Sequence, residues 1–447
     1  MRNQTVFNSA TFFLGILCFA TLAQPVHGLL QSQAQDRRRI EAITRELTAP
    51  EFNGRAFKSE EGLKAAGYIA KLFSEAGLRF VREPGAPISS GGSYLAPFPG
   101  AGTAVLGIVE GRDATLKKEY VIVGAHYDGF GKGFVGATDN AAGVAVMIEI
   151  ARALAKTPPQ RSLLFIAFDG GEQNNAGANH YAEHPIVPLK TTAAMINLSG
   201  FGRGMSEHFY ETLYVIGSEH SPQLREAISK HKGGDVHLAM LGRDVTRLPG
   251  CEHFLFTLKQ TPTITITNGV HYAYHAKDDT PDRINYAALE KHVAALTKVI
   301  AEIANTPGKI EKSLEPVFDG DEAMEWGRVL TALRENILKK PENDAGQARI
   351  GEVLLELKRH QNRPVQDPQA RESVILPAAS IAFYITNPSG VKYNSLLNQA
   401  RNYEENGERQ QAIAAYQKLL EFIAEEYRRD DQTVGEIRAR LAKLGGK

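Results

Sequence analysis

From Thr103 to Asn305, short apolar and β-branched runs alternate with stretches of helical periodicity. That alternation limits the fold more than any other feature of the chain. The runs are Thr103–Val109, Tyr120–Ala125, Leu163–Phe168, Ala193–Leu198, Leu213–Ile216 and Thr261–Thr267. Between them lie helical stretches near Ala141–Ala155, Gln223–Lys230 and Tyr286–Ala304. Such an order predicts an α/β layered domain with a mixed, mainly parallel sheet, whose site lies at the carboxyl ends of the strands.

The flanking sequence reads differently. Residues 36–79 are helical by the spacing of Ile40, Ile43 and Leu47 and of Leu63, Ala66, Ile69, Ala70 and Phe73. Ser59 is placed to cap the second of these helices and Gly77 to end it. Residues 80–102, rich in Gly, Pro and Ser, read as a loop. After the domain at 36–305 comes a Pro/Gly/Lys linker at 306–321 and then an all-helical C-terminal region at 322–447. Within it, 360–390 carries four prolines and no clear period. Residues 394–427 read as a helical hairpin broken at Gly407, similar to a single tetratricopeptide unit of about 34 residues or to an ordinary hairpin packed on 322–359.

Residues 1–28 hold one base, Arg2, no acid, and the apolar run Phe12–Ala20 followed by small residues. This is the layout of a cleaved signal peptide, and the run is short for a span of roughly 20 apolar residues. An exported mature chain with no membrane span is expected, periplasmic or secreted. Lys+Arg 51 balance Asp+Glu 51, so no bulk charge draws the chain to nucleic acid or an anionic membrane. With 2 Cys, one of them inside the apolar run, no thiolate zinc cluster is available. A metal site must be built from His and carboxylates.

Those residues occur where the predicted strands end. Val121–Ala125 runs into His126-Tyr127-Asp128, and Asp139 follows eleven residues after Asp128, opening a helix. Imidazole and carboxylate suit zinc. Asp128, two residues after His126, can accept the other ring N–H and fix the tautomer. Glu172 lies just past Leu163–Phe168, Ser199 just past Ala193–Leu198, and Tyr274-His275 past Thr263–Thr267.

In order, spacing and flanking strands this set resembles the M28 family of zinc aminopeptidases over residues 36–305. The resemblance implies a three-layer zinc-exopeptidase-like domain. It puts His126, Asp139, Glu172 and His275 on metal-ligand positions, with Asp139 the carboxylate that bridges two ions. It makes Asp128 the ligand-orienting acid and Tyr274 the residue that steadies an oxyanion. Glu252-His253 falls where the family often has an Asp-His pair. Two positions depart from the pattern: Gly171 stands where the family has its general base, and Ser199 where it has an acid ligand to the first zinc. With Asp139, Glu172 and His275 as one donor set and only His126 and Asp139 as the other, one tightly held zinc is expected, the second site weak or empty. Asp169 is a candidate substitute base.

Retained ligands beside a lost base leave three functions in play. The first is an exported zinc-dependent aminopeptidase acting on peptides. The second is a catalytically impaired relative that binds peptide, or a protein partner through the C-terminal helices. The lowest ranked is a single-zinc transferase like the glutaminyl cyclases.

Overall fold

The computed structural model describes residues 36–81, 92–246, 252–336, 344–429 and 431–445. The expected signal peptide at 1–28 lies outside the described residues. Nine strands form one sheet: β1 (Arg79–Phe80), β2 (Leu95–Phe98), β3 (Gly102–Val109), β4 (Tyr120–His126), β5 (Ser162–Phe168), β6 (Thr192–Leu198), β7 (Thr212–Ile216), β8 (His237–Leu241) and β9 (Thr263–Thr267). The order is β1-β3-β5-β4-β6-β9-β7-β8, with β2 also on β3. The four middle strands β5, β4, β6 and β9 are mutually parallel. Antiparallel pairings lie on both flanks, at β3–β5 and at β7–β9. All six expected strands are present. The expected loop at 80–102 instead contributes β2, and Pro97 is tolerated there because β2 pairs only with β3.

The middle strands are apolar throughout because both faces are covered. On β5, Leu163, Phe165 and Ala167 join one core while Leu164, Ile166 and Phe168 join another. The first core takes its helical side from residues 36–47 (α1), α2 (Glu60–Glu75), α3 (Ala142–Lys156), α5 (Pro222–Ser229) and α7 (Tyr286–Asn305). The second is covered by α4 (Ala176–Glu183) and α6 (Phe254–Leu258), through Tyr181 and Phe256. Ser59 caps α2 by accepting the Gly62 amide, and Gly77, at φ +83°, turns the chain beyond it.

The C-terminal region is helical and docked. Helices α8 (Glu322–Asn336), α9 (Asp344–Arg359), α10 (Pro368–Ala370) and α11 (Leu376–Thr386) bury Trp326, Leu330, Leu333, Ile350 and Ala378 in one core with Tyr214, Ile216, Ala239 and Leu241 of β7 and β8. The segment expected as a linker is pinned on the way: the Ser313 and Val317 amides bond the His220 and Glu219 carbonyls. Arg371, nearly fully buried, bonds both Asp244 and Glu322. Beyond Asn387, α12 (Pro388–Glu405), α13 (Arg409–Glu425) and α14 (Asp431–Lys443) form a third packing unit around Leu396, Tyr416, Leu419, Phe422, Val434 and Leu441. Among the described residues no single helix is long and apolar enough to cross a membrane.

Candidate metal centre

The parallel strands β4, β5, β6 and β9 all end at one edge, so the loops that follow them converge there. His126 is the last residue of β4. Asp139 sits in the turn that opens α3, Glu172 in the loop after β5, and His275 in the loop after β9. Their donor atoms face one another. His126 Nε2 lies 3.3 Å from Asp139 Oδ1, and His275 Nε2 lies 3.2 Å from Asp139 Oδ2 and 3.4 Å from Glu172 Oε2. Donors about 2.0–2.2 Å from one tetrahedral ion are roughly 3.3–3.6 Å apart, so the spacing suits shared cations. His126, Asp139 and Glu172 also form a compact group among themselves, with donor atoms within 4.8 Å.

Two further observations fit a cation. Both His275 nitrogens are buried without a hydrogen bond, although Nε2 faces two carboxylates. Asp128, Asp139 and Glu252 are at most 5% exposed, and with Glu172 they concentrate negative charge around two imidazoles. Buried carboxylates of this density need a neutralising partner.

Electrostatics follow from that crowding. Burial disfavours a charged His126, but the Glu252, Asp128 and Asp139 carboxylates hold its pKa well above the usual value. Burial pulls His275 down. Burial, then Asp139, pushes Glu172 well above the carboxylate range. Asp139 resists the same burial and stays below the range, because His126 and His275 both face it.

Neighbouring groups fix the donors. The Asp128 carboxylate faces His126 Nδ1 at 3.4 Å and accepts the Gly171 and Glu172 amides at 2.7 and 3.1 Å. Asp279, four residues after His275, accepts the Thr138 amide at 3.0 Å, the Thr138 hydroxyl at 2.9 Å and the Asp139 amide at 3.3 Å. Burial raises its carboxyl to about 7. Arg55, fully buried, donates to the Tyr127, Leu47, Val135 and Gly136 carbonyls and so pins the chain between His126 and Asp139. No local sequence pattern marks Arg55. Tyr274 stacks on His275, centroids 3.9 Å apart at 22°. A small recess opens beside Asp139, Glu172 and His275, with Phe130 and Phe134 in its wall.

The helical tail reaches this site. Tyr427, in the turn between α13 and α14, sits 5.7 Å from the His275 ring, and the Arg428 amide bonds the His275 carbonyl at 3.1 Å. Asn174 bonds Gln432 at 3.0 Å, and Lys277 faces Glu425 at 3.5 Å.

Residues 104–300 match the family model described as peptidase family M28. This segment belongs to that family. Aminopeptidase YwaD of Bacillus subtilis (strain 168) is 41% identical over 99 residues, 21% of this chain and 22% of the relative. A probable zinc metalloprotease of Pyrenophora tritici-repentis is 37% identical over 106 residues, 21% of this chain and 24% of the relative. The chain thus spans less than a quarter of the length of these curated relatives. A solved zinc aminopeptidase, BSAP from Bacillus subtilis, aligns at 17% identity and TM-score 0.48, covering 63% of this chain and 98% of that one.

At the M28 base position, Gly171 has no room for a side chain: a Cβ there would overlap the His126 ring, 2.7 Å from Nδ1. The imidazole packs on the space a base would need. Asp169, the candidate substitute, is held at the strand end, its Oδ2 accepting the Thr103 amide at 3.2 Å. Short acids commonly bond the backbone at such a place. His126 shares a compact group with Asp139 and Glu172. Glu252 and His253, in place of the family's Asp-His pair, are 3% and 6% exposed and belong to the interior.

Proposed function

We propose that the chain is an exported zinc-dependent metallopeptidase of aminopeptidase type, hydrolysing amino-terminal peptide bonds. The observation that carries this reading is the convergence of His126, Asp139, Glu172 and His275, with donor separations of 3.2–3.4 Å along the sequence His126–Asp139–His275–Glu172. Those four residues hold zinc, and Asp128 orients His126. Zinc bound there supplies Lewis-acid polarisation of a peptide carbonyl. Tyr274, whose ring stacks on His275, is the residue to donate to the oxyanion, and the recess walled by Phe130 and Phe134 opens beside the donors. On the donors that match the family, Asp139, Glu172 and His275 bind one ion tightly and His126 with Asp139 binds a second weakly. Export rests on residues 1–28, and the mass of the mature protein checks it.

A second reading, a peptide-binding module without turnover, is favoured by Gly171 and by the bond that holds Asp169 to the Thr103 amide. In that case the helical region, where Tyr384 is 64% exposed, offers a surface to a protein partner. A single-zinc cyclising transferase ranks below both.

Zinc content of the purified chain, measured beside a panel of aminoacyl chromogenic substrates, decides between them. Bound zinc with hydrolysis supports the peptidase. Bound zinc with peptide binding and no hydrolysis supports the module, and a chain that takes up no zinc removes the metallopeptidase reading.

A further inference from the structure

Ser199 directly follows β6 and offers a hydroxyl where the family places a carboxylate, which leaves His126 Nε2 and Asp139 Oδ1 short of a third donor. Glu252 approaches from the turn before α6. Its Oε1 lies 4.0 Å from His126 Nε2, and the side chain is 3% exposed. Among the described residues no lysine or arginine forms an ion pair with Glu252; the charged partner within 4.0 Å is His126. A buried carboxylate without a cation is expensive to keep unless it is paired or coordinates a metal.

Asp139 divides its two oxygens, Oδ1 toward His126 and Oδ2 toward His275. Around Oδ2 the donors are His275 and Glu172. Around Oδ1 they are His126 and, across the gap left by Ser199, Glu252. The His126–Glu252 separation exceeds the spacing of two donors on one tetrahedral ion by roughly half an ångström, within reach of a side-chain rotation. A glutamate suits this approach, since its extra methylene spans a distance that an aspartate at 252 would leave open.

We propose that Glu252 supplies the carboxylate that residue 199 lacks, completing with His126 Nε2 and Asp139 Oδ1 a three-donor site for a second divalent cation. The inference rests on the metallopeptidase reading and goes beyond it, because a chain with one zinc at Asp139, Glu172 and His275 satisfies that reading alone.

The test is metal stoichiometry rather than activity. The full chain is stripped with a chelator and titrated with zinc against a chromophoric competitor, with circular dichroism of each metal-free variant as the check on folding. Two equivalents are expected for the unaltered chain, one for Glu252→Gln and for Glu252→Asp, and two again for Ser199→Asp combined with Glu252→Gln. One equivalent in the unaltered chain, or two retained by both Glu252 variants, overturns the proposal while leaving the metallopeptidase reading intact. No zinc in the unaltered chain overturns both. Cobalt titration of the unaltered chain needs no variant: a spin-coupled pair at two equivalents is expected, and two uncoupled ions contradict the shared Asp139.

Discussion

The Asp128 carboxylate accepts the Gly171 amide at 2.7 Å and, through its other oxygen, the Glu172 amide at 3.1 Å. One side chain at the end of β4 therefore sets both the ring of His126, which it faces at 3.4 Å, and the loop that delivers Glu172. Replacing it with an isosteric amide keeps one acceptor and turns the other into a donor facing a donor. Asp128→Asn is expected to lower zinc affinity about 10–100-fold, the usual effect of losing a ligand's supporting partner. Chelator competition measures it, and unchanged affinity removes the bracing role.

Restoring the family's acid at residue 171 is expected to fail. A Cβ at Gly171 overlaps His126, so Gly171→Glu must displace that imidazole before any base can act. Overpacking of this kind costs about 1–3 kcal/mol. Both a lower melting temperature and weaker zinc binding should follow, with no gain in hydrolysis. A Gly171→Glu chain that gains activity contradicts the packing argument.

The strands were legible because their environment is uniform. Both faces of β4, β5 and β6 are buried, so a continuous apolar run was enough to find them. Strand β8, His237-Leu238-Ala239-Met240-Leu241, was not found, since it has no β-branched residue and its propensity is ordinary. The prolines of 360–390 looked like breakers, yet Pro368 and Pro388 stand at the first position of helices, where the missing N–H costs nothing. Asp367 and Asn387 cap those same helices. At the site, the resemblance to the M28 pattern picked out His126, Asp139, Glu172 and His275, whose side chains converge. Glu252 was not among them, because its proximity to His126 depends on a loop whose path no periodicity encodes.

Asp169 gives a pH signature. Burial, then the Asp128 charge, raises its carboxyl to about 7, against about 3.9 in an unfolded chain. The folded state thus holds this proton more tightly, so its contribution is present below about pH 4 and is lost as pH rises toward 7. Asp169→Asn keeps an acceptor for the Thr103 amide and removes the titration. With metal removed, unfolding free energy of the variant should fall less between pH 4 and 7 than that of the unaltered chain. Parallel profiles for the two proteins would rule this assignment out.

Tyr427 joins the helical tail to the loop that carries His275. It is 3% exposed, belongs to the packing unit of α12, α13 and α14, and also meets the His275 ring, while the next residue bonds the His275 carbonyl. His275 itself has φ +61°, in the left-handed region that costs a non-glycine residue about 1 kcal/mol or more and persists only where neighbours enforce it. The tail is one such neighbour. Tyr427→Ala is expected to remove about 3–5 kcal/mol from the tail's packing, by analogy with other large aromatic truncations. Hydrogen exchange then separates two cases. If the turn braces the site, amides of 271–276 should exchange about tenfold faster along with those of α12 to α14, because their opening is linked. Faster exchange confined to α12 to α14 would mean that the loop carrying His275 holds its conformation alone, through Asp279 and the Tyr274 stack, and that the tail only rests upon it.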